Sequence, residues 1–259
     1  MNQEEKRLYL IKYLLDENNK YLNVEIPNDV TAQKRLLRSL FNVRLPAPIE
    51  DGFLKVQDEY LKEETRFKGI TDIKDLKQVE DEIYLWQGDI TTLKCDAIVN
   101  AANSGLTGCY IPCHNCIDNI IHTYSGIQLR NECDRIIKNQ GHEEETGSAK
   151  ITSAYNLPSK YVIHTVGTIV NGSVTLKNKD ELKSCYMSCL KLADENKLES
   201  IAFCCISTGV FGFPNETAAE IAVNTVRDYK KNSKTKLEVI FNVFKECDYE
   251  IYKKLLGRY

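Results

Sequence analysis

Apolar side chains recur at helical spacing in the first 75 residues of the chain. They form three stretches, at residues 8–15, 30–41 and 53–67. Asn28 or Asp29 can cap the second predicted helix, and Pro46 and Pro48 separate it from the third. The pattern predicts a helical region over residues 1–75, in which no motif indicates chemistry.

From residue 76 onward, short apolar runs alternate with helical stretches. The predicted strands are residues 83–86, 97–99, 161–165, 201–206 and 237–244, and the predicted helices are residues 117–138, 179–196, 216–229 and 248–256. Continuous apolar strands between helices indicate a mostly parallel sheet with both faces covered. We therefore expect an α/β fold over residues 76–259, with its ligand at the carboxyl ends of the strands.

Composition narrows the class of protein. The 259 residues are 42% hydrophobic and 27% charged, which suffices for a globular core. The chain has 34 basic and 37 acidic residues, which give a formal charge of −3. Because there is no excess of basic residues, the chain is not expected to bind nucleic acid. No apolar run is long enough for a bilayer, and the acidic, lysine-interrupted N-terminus does not match a secretory signal. We expect a soluble cytoplasmic protein that does not bind membranes.

Ten cysteines are present, and three of them crowd together. The scattered ones are expected to be small buried apolar residues, without disulfides: Cys95, Cys133, Cys185, Cys189, Cys204, Cys205 and Cys247. Cys109, Cys113 and Cys116 lie within eight residues, with His114 among them. Thiolates and imidazole favour zinc: four ligands would close a structural site, whereas three would leave a position open.

A redox site is the alternative for this cluster. Cys113 and Cys116 form a C-x-x-C pattern before a predicted helix in an α/β context, which is also the setting of thioredoxin-like chemistry. A redox site would leave Cys109 without a role and two other polar loops unexplained. The zinc hypothesis is therefore preferred.

Those two loops follow predicted strands. The Gly88-Asp89-Ile90-Thr91 segment is either a plain turn or a place where a carboxylate accepts from an amino group. Residues 207–214, STGVFGFP, combine glycines and hydroxyls with a proline suited to the first turn of a helix. This segment is either a glycine-rich connector or a diphosphate loop, and it lacks the GK[ST] ending of a Walker motif.

A third polar segment surrounds the cysteine cluster. Asn100 and Asn103 follow the predicted strand at residues 97–99, where amides can grip a hydroxyl-rich group. Asp118 and His122 are four residues apart, so they share a helix face. Asp118 either interacts only with the helix dipole, with His122 packed behind it, or faces a ligand.

Four further residues carry individual expectations. His142 and His164 are interpreted as structural, and Trp86 as a core residue. Phe244 ends the last predicted strand, where it either packs in the core or stacks on a base.

Taken together, the motifs resemble a macrodomain, an ADP-ribose-binding fold. They occur in the order GDIT, NAAN, IDNIIH, GSAKITSAYNLPSKYVIHTVG and CISTGVFGFP. The GCYIPCHNC segment stands where an ordinary macrodomain is glycine-rich, and this resembles the zinc-containing macrodomains, which are protein-ADP-ribose hydrolases with an N-terminal helical extension. The resemblance implies an extension at residues 1–75 and a macrodomain at residues 76–259, with a mostly parallel mixed sheet flanked by helices.

The resemblance also implies site residues. Adenine would contact Asp89 and Ile90, the diphosphate would contact Ser207, Thr208, Gly209, Val210 and Phe211, and the distal ribose would meet Asn103, with Asn103 and Asp118 catalytic. One Zn²⁺ would be held by Cys109, His114 and Cys116, with Cys113 outside the set.

The activity implied is zinc-dependent removal of mono-ADP-ribose from modified Asp or Glu side chains of proteins. A sirtuin-type ADP-ribosyltransferase and a lipoyl-carrier protein are the partners that the resemblance implies. Two alternatives remain: a non-catalytic ADP-ribose reader with a structural zinc, and a zinc-stabilised interaction protein that does not bind ADP-ribose.

Overall fold

A seven-stranded mixed sheet flanked by helices forms the centre of the protein, in a computed structural model that describes residues 1–233 and 235–257. The helices are α1 (Gln3–Asp16), α2 (Val30–Val43), α3 (Asp51–Lys68), α4 (Ile117–Ser125), α5 (Ile127–Gln140), α6 (Leu176–Glu195), α7 (Asn215–Ser233) and α8 (Glu246–Leu256). The strands are β1 (Thr71–Asp72), β2 (Gln78–Glu80), β3 (Ile83–Gln87), β4 (Leu93–Lys94), β5 (Ala97–Ala102), β6 (Ala149–Ser153), β7 (Tyr161–Val166), β8 (Ser200–Phe203) and β9 (Glu238–Val243). The predicted α/β fold is confirmed.

The strand order is β2-β3-β9-β8-β5-β7-β6. The five inner strands run parallel, and the two edge strands, β2 and β6, run antiparallel to their neighbours. A separate short pair joins β1 to β4. The inner strands are apolar along nearly their whole length because both of their faces are buried.

The N-terminal helices bury a second apolar cluster of their own. Leu37, Leu40 and Phe41 of α2 lie on one face and are buried, as their spacing predicts. Asp29, not Asn28, caps this helix, because its Oδ1 accepts from the amide of Ala32 at 2.7 Å. Ile127 of α5 belongs to the same cluster, so the extension is packed onto the helices beside the sheet.

Two predicted elements differ in the structure, and two edge strands were not predicted. The predicted helix 117–138 is two helices, since Gly126 between them has φ +96° and an added Cβ would lie 2.6 Å from Gln57 Nε2. The predicted strand 201–206 ends at Phe203. The edge strands β2 and β6 were not predicted, because their mixed burial gives no continuous apolar run. In the described part of the chain, no helix combines the length and the apolar character that crossing a membrane requires.

Candidate active site

Four parallel strands, β3, β9, β8 and β5, are consecutive in the sheet, so their carboxyl ends meet at one edge. The loops that follow β3, β8 and β5 carry the predicted site residues: Asp89 and Ile90 after β3, residues 207–211 after β8, and Asn103 with the cysteine cluster after β5. Neighbouring strands are about 4.8 Å apart, so β3 and β5 are separated by about 14 Å. The three loops thus lie side by side along this edge, in the order in which they follow β3, β8 and β5 across the sheet.

Asp118 is fixed in place by two asparagine side chains. It lies in the first turn of α4 and is 5% exposed. Asn100 Nδ2 donates to Asp118 Oδ1 at 2.8 Å, and Asn103 Nδ2 donates to Oδ2 at 3.3 Å. Burial raises the pKa of Asp118 to about 6, while the bond from Asn100 and the charge of Arg130 act in the opposite direction.

The two asparagines of the NAAN motif have different positions. Asn103 is half-buried after the end of β5, and its Nδ2 also donates to the carbonyl of Gly108 at 3.1 Å. Asn100 lies within β5 and is fully buried, so the expectation that it grips a ligand is wrong. Its side chain holds Asp118 instead.

Two buried histidines lie behind Asp118. His122 Nε2 is 3.5 Å from Asp118 Oδ1, which places both residues on one face of α4 as their spacing predicted. His164 Nδ1 is 3.2 Å from Asn100 Nδ2, and its Nε2 is 3.0 Å from Thr152 Oγ1. Because the amide nitrogen of Asn100 donates, His164 Nδ1 accepts and Nε2 carries the hydrogen. Burial lowers the pKa of His164 to about 3, so the ring is neutral.

Cys109, His114 and Cys116 bring their ligand atoms within 4.8 Å of one another. Cys109 Sγ lies 3.6 Å from His114 Nδ1. Tetrahedral zinc with a sulfur at about 2.3 Å and a nitrogen at about 2.05 Å would place those two atoms about 3.6 Å apart. Burial, together with the nearby Cys109 thiol, raises the pKa of Cys116 to about 12, so a thiolate at Cys116 needs a cation beside it. The donor set and its geometry therefore fit zinc.

Cys113 lies apart from that group. Its backbone has φ +53°, and its amide donates to Asn42 Oδ1 at 2.9 Å. Its Sγ lies 3.2 Å from Ser39 Oγ and 3.4 Å from the carbonyl of Arg35, both on α2. The side chain of Cys113 thus packs against the N-terminal extension.

All ten cysteines are free, including the C-x-x-C pair. The expectation that the seven scattered ones are buried is wrong for two of them, because Cys247 is exposed and Cys205 is only partly buried. The lone Trp86 is likewise only partly buried, at the edge of the core.

The loop after β3 fixes the carboxylate of Asp89. Asp89 Oδ1 accepts from the amide of Thr91 at 3.0 Å, and Oδ2 accepts from Lys68 Nζ at 2.9 Å. Lys68 Nζ also lies 3.2 Å from the centre of the Tyr124 ring. Burial raises the pKa of Asp89, but the bonds from Thr91 and Lys68 outweigh it, so this pKa lies below its ordinary value.

The loop after β8 presents free amides. Ser207 has φ +64° and is buried. Within the described residues, the amide groups of Gly209, Val210 and Phe211 donate to no protein acceptor. A Cβ on Gly209 would have nothing within 4 Å. A loop with open space and several unpaired amides suits an anion such as a diphosphate.

Phe244 follows β9, between the ends of β3 and β8, and is 75% exposed. The core interpretation of this residue is therefore wrong, and stacking on a base stays a prediction.

Sequence reasoning missed the residues that hold these loops. Arg38 Nη2 donates to the carbonyl of His114, and Arg130 donates from Nε to the carbonyl of Thr107 and from Nη1 to that of Asn42, each at 2.7 Å. No local signal reveals them, because Arg38 and Asn42 lie 76 and 88 residues from their partners along the chain.

The comparisons with known proteins agree with this geometry. The Macro domain family model matches residues 99–222. A protein-ADP-ribose hydrolase of Treponema medium is 56% identical over 261 residues, covering 99% of this chain and 100% of that protein. Another, from Staphylococcus aureus (strain MSSA476), is 51% identical over 252 residues, covering 96% of this chain and 94% of that protein.

A solved structure gives the same result. The crystal structure of the Trypanosoma brucei macrodomain in complex with ADP-ribose superposes with a TM-score of 0.66 at 31% identity, covering 85% of this chain and 95% of that one. The identity to the two hydrolases extends over nearly the full length, including the N-terminal helices. This chain belongs to the macrodomain family and, within it, to the protein-ADP-ribose hydrolases.

Proposed function

We propose that the protein is a zinc-dependent hydrolase that removes mono-ADP-ribose from modified Asp and Glu side chains of proteins. Cys109, His114 and Cys116 lie on the segment between Asn103 and Asp118, which are themselves hydrogen-bonded to each other. This position is the observation that carries the proposal. A loop with free amides, a buried carboxylate and a donor set that suits a soft metal lie at one edge of the sheet.

ADP-ribose would lie along the edge formed by β3, β9, β8 and β5. Asp89 would accept a hydrogen bond from the adenine amine, and the exposed ring of Phe244 would stack on the base. The free amides at residues 209–211 would bind the diphosphate. The distal ribose would then lie at Asn103, beside Asp118.

Hydrolysis then adds water across the ester between the distal ribose and the modified side chain. ADP-ribose leaves with a hydroxyl group, the Asp or Glu leaves as a carboxylate, and one proton is released. Asn103 would orient the ribose, and Asp118, held by Asn100 and Asn103, would orient the water and accept its proton. Cys109, His114 and Cys116 would hold the zinc ion, which would supply a Lewis acid at this end of the site.

For the modified protein, the proposal gives only a class and not an individual protein. The resemblance to zinc-containing macrodomains suggests a lipoyl-carrier protein as the substrate and a sirtuin-type ADP-ribosyltransferase as the enzyme that modifies it. The carrier protein can be tested as a substrate by adding it to this chain, unmodified and after modification by a sirtuin-type ADP-ribosyltransferase.

Release of ADP-ribose from substrates of defined linkage tests the proposal. Proteins modified on Asp or Glu, on Ser and on Arg would each be incubated with the full chain, and ADP-ribose release would be followed by mass spectrometry. We expect release from the ester-linked substrates alone. Binding of ADP-ribose without release from any of them would make the protein a reader, and no binding would leave a zinc-stabilised interaction protein.

A further inference from the structure

The segment between β5 and α4 has no regular secondary structure, yet it carries all three of the proposed metal ligands. A loop of this kind cannot satisfy its own carbonyl groups through a ladder of backbone bonds. Side chains from neighbouring helices take that role here. Their arrangement around Cys109, His114 and Cys116 determines how well the ligand atoms stay together.

Asn119 is the centre of this arrangement. It is fully buried in the first turn of α4, shortly after the last of the ligand residues. Its Nδ2 donates to the carbonyl of Cys109 at 3.3 Å and to that of Ile111 at 3.0 Å. Its backbone amide donates to Cys116 Sγ at 3.4 Å. One residue thus contacts two of the three ligand residues directly.

Arg38 of α2 contacts the third ligand residue, His114. Its Nη2 donates to the carbonyl of His114 at 2.7 Å and to Asn119 Oδ1 at 2.9 Å. The second of these bonds fixes the orientation of the Asn119 amide, so that its Nδ2 faces the loop carbonyls. Arg38 and Asn119 together therefore touch Cys109, His114 and Cys116.

We propose that Arg38 and Asn119 act as one positioning unit for the metal ligands, and that supplying Arg38 is a function of the N-terminal extension. This inference rests on the proposed zinc site. Side chains that hydrogen-bond to metal ligands and orient them typically matter to metal affinity: replacing one lowers the affinity by about 10-fold to 100-fold. Arg38 lies 76 residues before His114 and 81 residues before Asn119 in the chain, so it can contribute to the unit only when the extension is packed in place.

Zinc affinity of the folded full chain tests the inference. Arg38→Met keeps the aliphatic stem and removes every donor, and Arg38→Lys keeps one charged donor group. Arg35→Met is the matched control, because Arg35 is exposed on the same helix and its side chain makes no hydrogen bond within the described residues. Each metal-free protein would be titrated with Zn²⁺ against a chromophoric chelator, after circular dichroism has confirmed folding.

We expect Arg38→Met to lower zinc affinity by about 10-fold to 100-fold, and Arg38→Lys by about threefold or more. Arg35→Met should stay within about twofold of the wild type. The visible spectrum of the Co²⁺-loaded Arg38→Met protein should also change, because the spectrum reports the ligand geometry. A purely structural role would lower the unfolding temperature without moving the affinity or the spectrum of the folded protein.

Three outcomes would overturn the inference, and they are distinguishable. Equal zinc affinity in Arg38→Met and Arg35→Met would end the positioning role and leave the zinc site intact. If Arg38→Met does not fold, wild-type affinity in Arg38→Lys would likewise rule out the positioning role. Wild-type protein that binds no zinc would instead overturn the proposed metal site itself, and the positioning role with it.

Discussion

Asn100 Nδ2 donates a hydrogen bond to Asp118 Oδ1 at 2.8 Å, from a fully buried position inside β5. The same nitrogen lies 3.2 Å from His164 Nδ1 on the neighbouring strand β7. A strand residue thus sets the orientation of the carboxylate at the start of α4. The shorter of the two hydrogen bonds to this carboxylate therefore comes from the rigid sheet, and the loop residue Asn103 supplies the longer one.

Replacing Asp118 with Ala should reduce ADP-ribose release by about 100-fold to 10,000-fold, because a positioned acid or base contributes about that much to the rate. ADP-ribose affinity, measured by calorimetry, should stay within a few-fold of the wild type. Asp180→Ala is the control, since Asp180 is exposed on α6. Parallel loss of binding and turnover would mean that Asp118 is structural.

Replacing Asn100 with Leu should lower turnover about 10-fold or more while preserving ADP-ribose binding. The change leaves Asp118 Oδ1 buried without its closest donor, which also costs about 1–3 kcal/mol of the free energy of unfolding. Steady-state kinetics and urea denaturation measure the two effects separately. Wild-type turnover in a destabilised but folded variant would contradict the positioning role of Asn100.

Replacing Gly209 with Val should weaken ADP-ribose binding about 10-fold or more without lowering the unfolding temperature. The structure has nothing within 4 Å of a Cβ at this position, so the side chain would occupy the space assigned to the diphosphate. Gly209→Ala should have a smaller effect in the same direction. If both variants bind ADP-ribose as the wild type does, the diphosphate does not approach this loop.

The Lys68–Asp89 pair predicts a dependence on pH. The pKa of Asp89 lies below its ordinary value, so the carboxylate stays charged, and able to accept from adenine, until the pH falls through that lowered pKa. Lys68→Met removes one of the hydrogen bonds responsible and should make Asp89 protonate at a higher pH. The stability that Asp89 contributes is likewise present at neutral pH and lost on acidification.

As the pH is lowered from about 6 to 4, the ADP-ribose affinity of Lys68→Met should therefore fall at a higher pH than that of the wild type. Lys62→Met, an exposed position on the same helix, should follow the wild-type curve. Coincident curves for all three proteins would show that the charge of Asp89 does not contribute to binding.

Much of the fold was predictable because the inner strands are buried on both faces and give continuous apolar runs, as at Ile163 in β7 and Ile201 in β8. The helix break at Gly126 was not, because it depends on Gln57 and Asn156, which an added Cβ would contact. The position of Asn100 was mispredicted for a related reason. A polar residue after three apolar ones indicates the end of a strand, and only the structure reveals that Asn100 is buried within β5 against Asp118.

The candidate site was predictable where its residues are neighbours in sequence. Cys109, His114 and Cys116 lie on one loop. Spacing and donor chemistry grouped them together with Cys113, and only the resemblance to zinc-containing macrodomains singled out these three. Arg38 and Lys68 act across long separations, from helices that carry no motif. The role of such residues can be recognised only from the structure, in which the extension packs against the loops.

Removal of the metal tests the central claim most directly. The full chain would be incubated with an ester-linked, mono-ADP-ribosylated protein before chelation, after chelation, and after Zn²⁺ has been added back, with folding followed by circular dichroism. We predict that ADP-ribose release stops in the chelated, folded protein and returns with Zn²⁺. Undiminished release from protein shown to hold no metal would contradict the account.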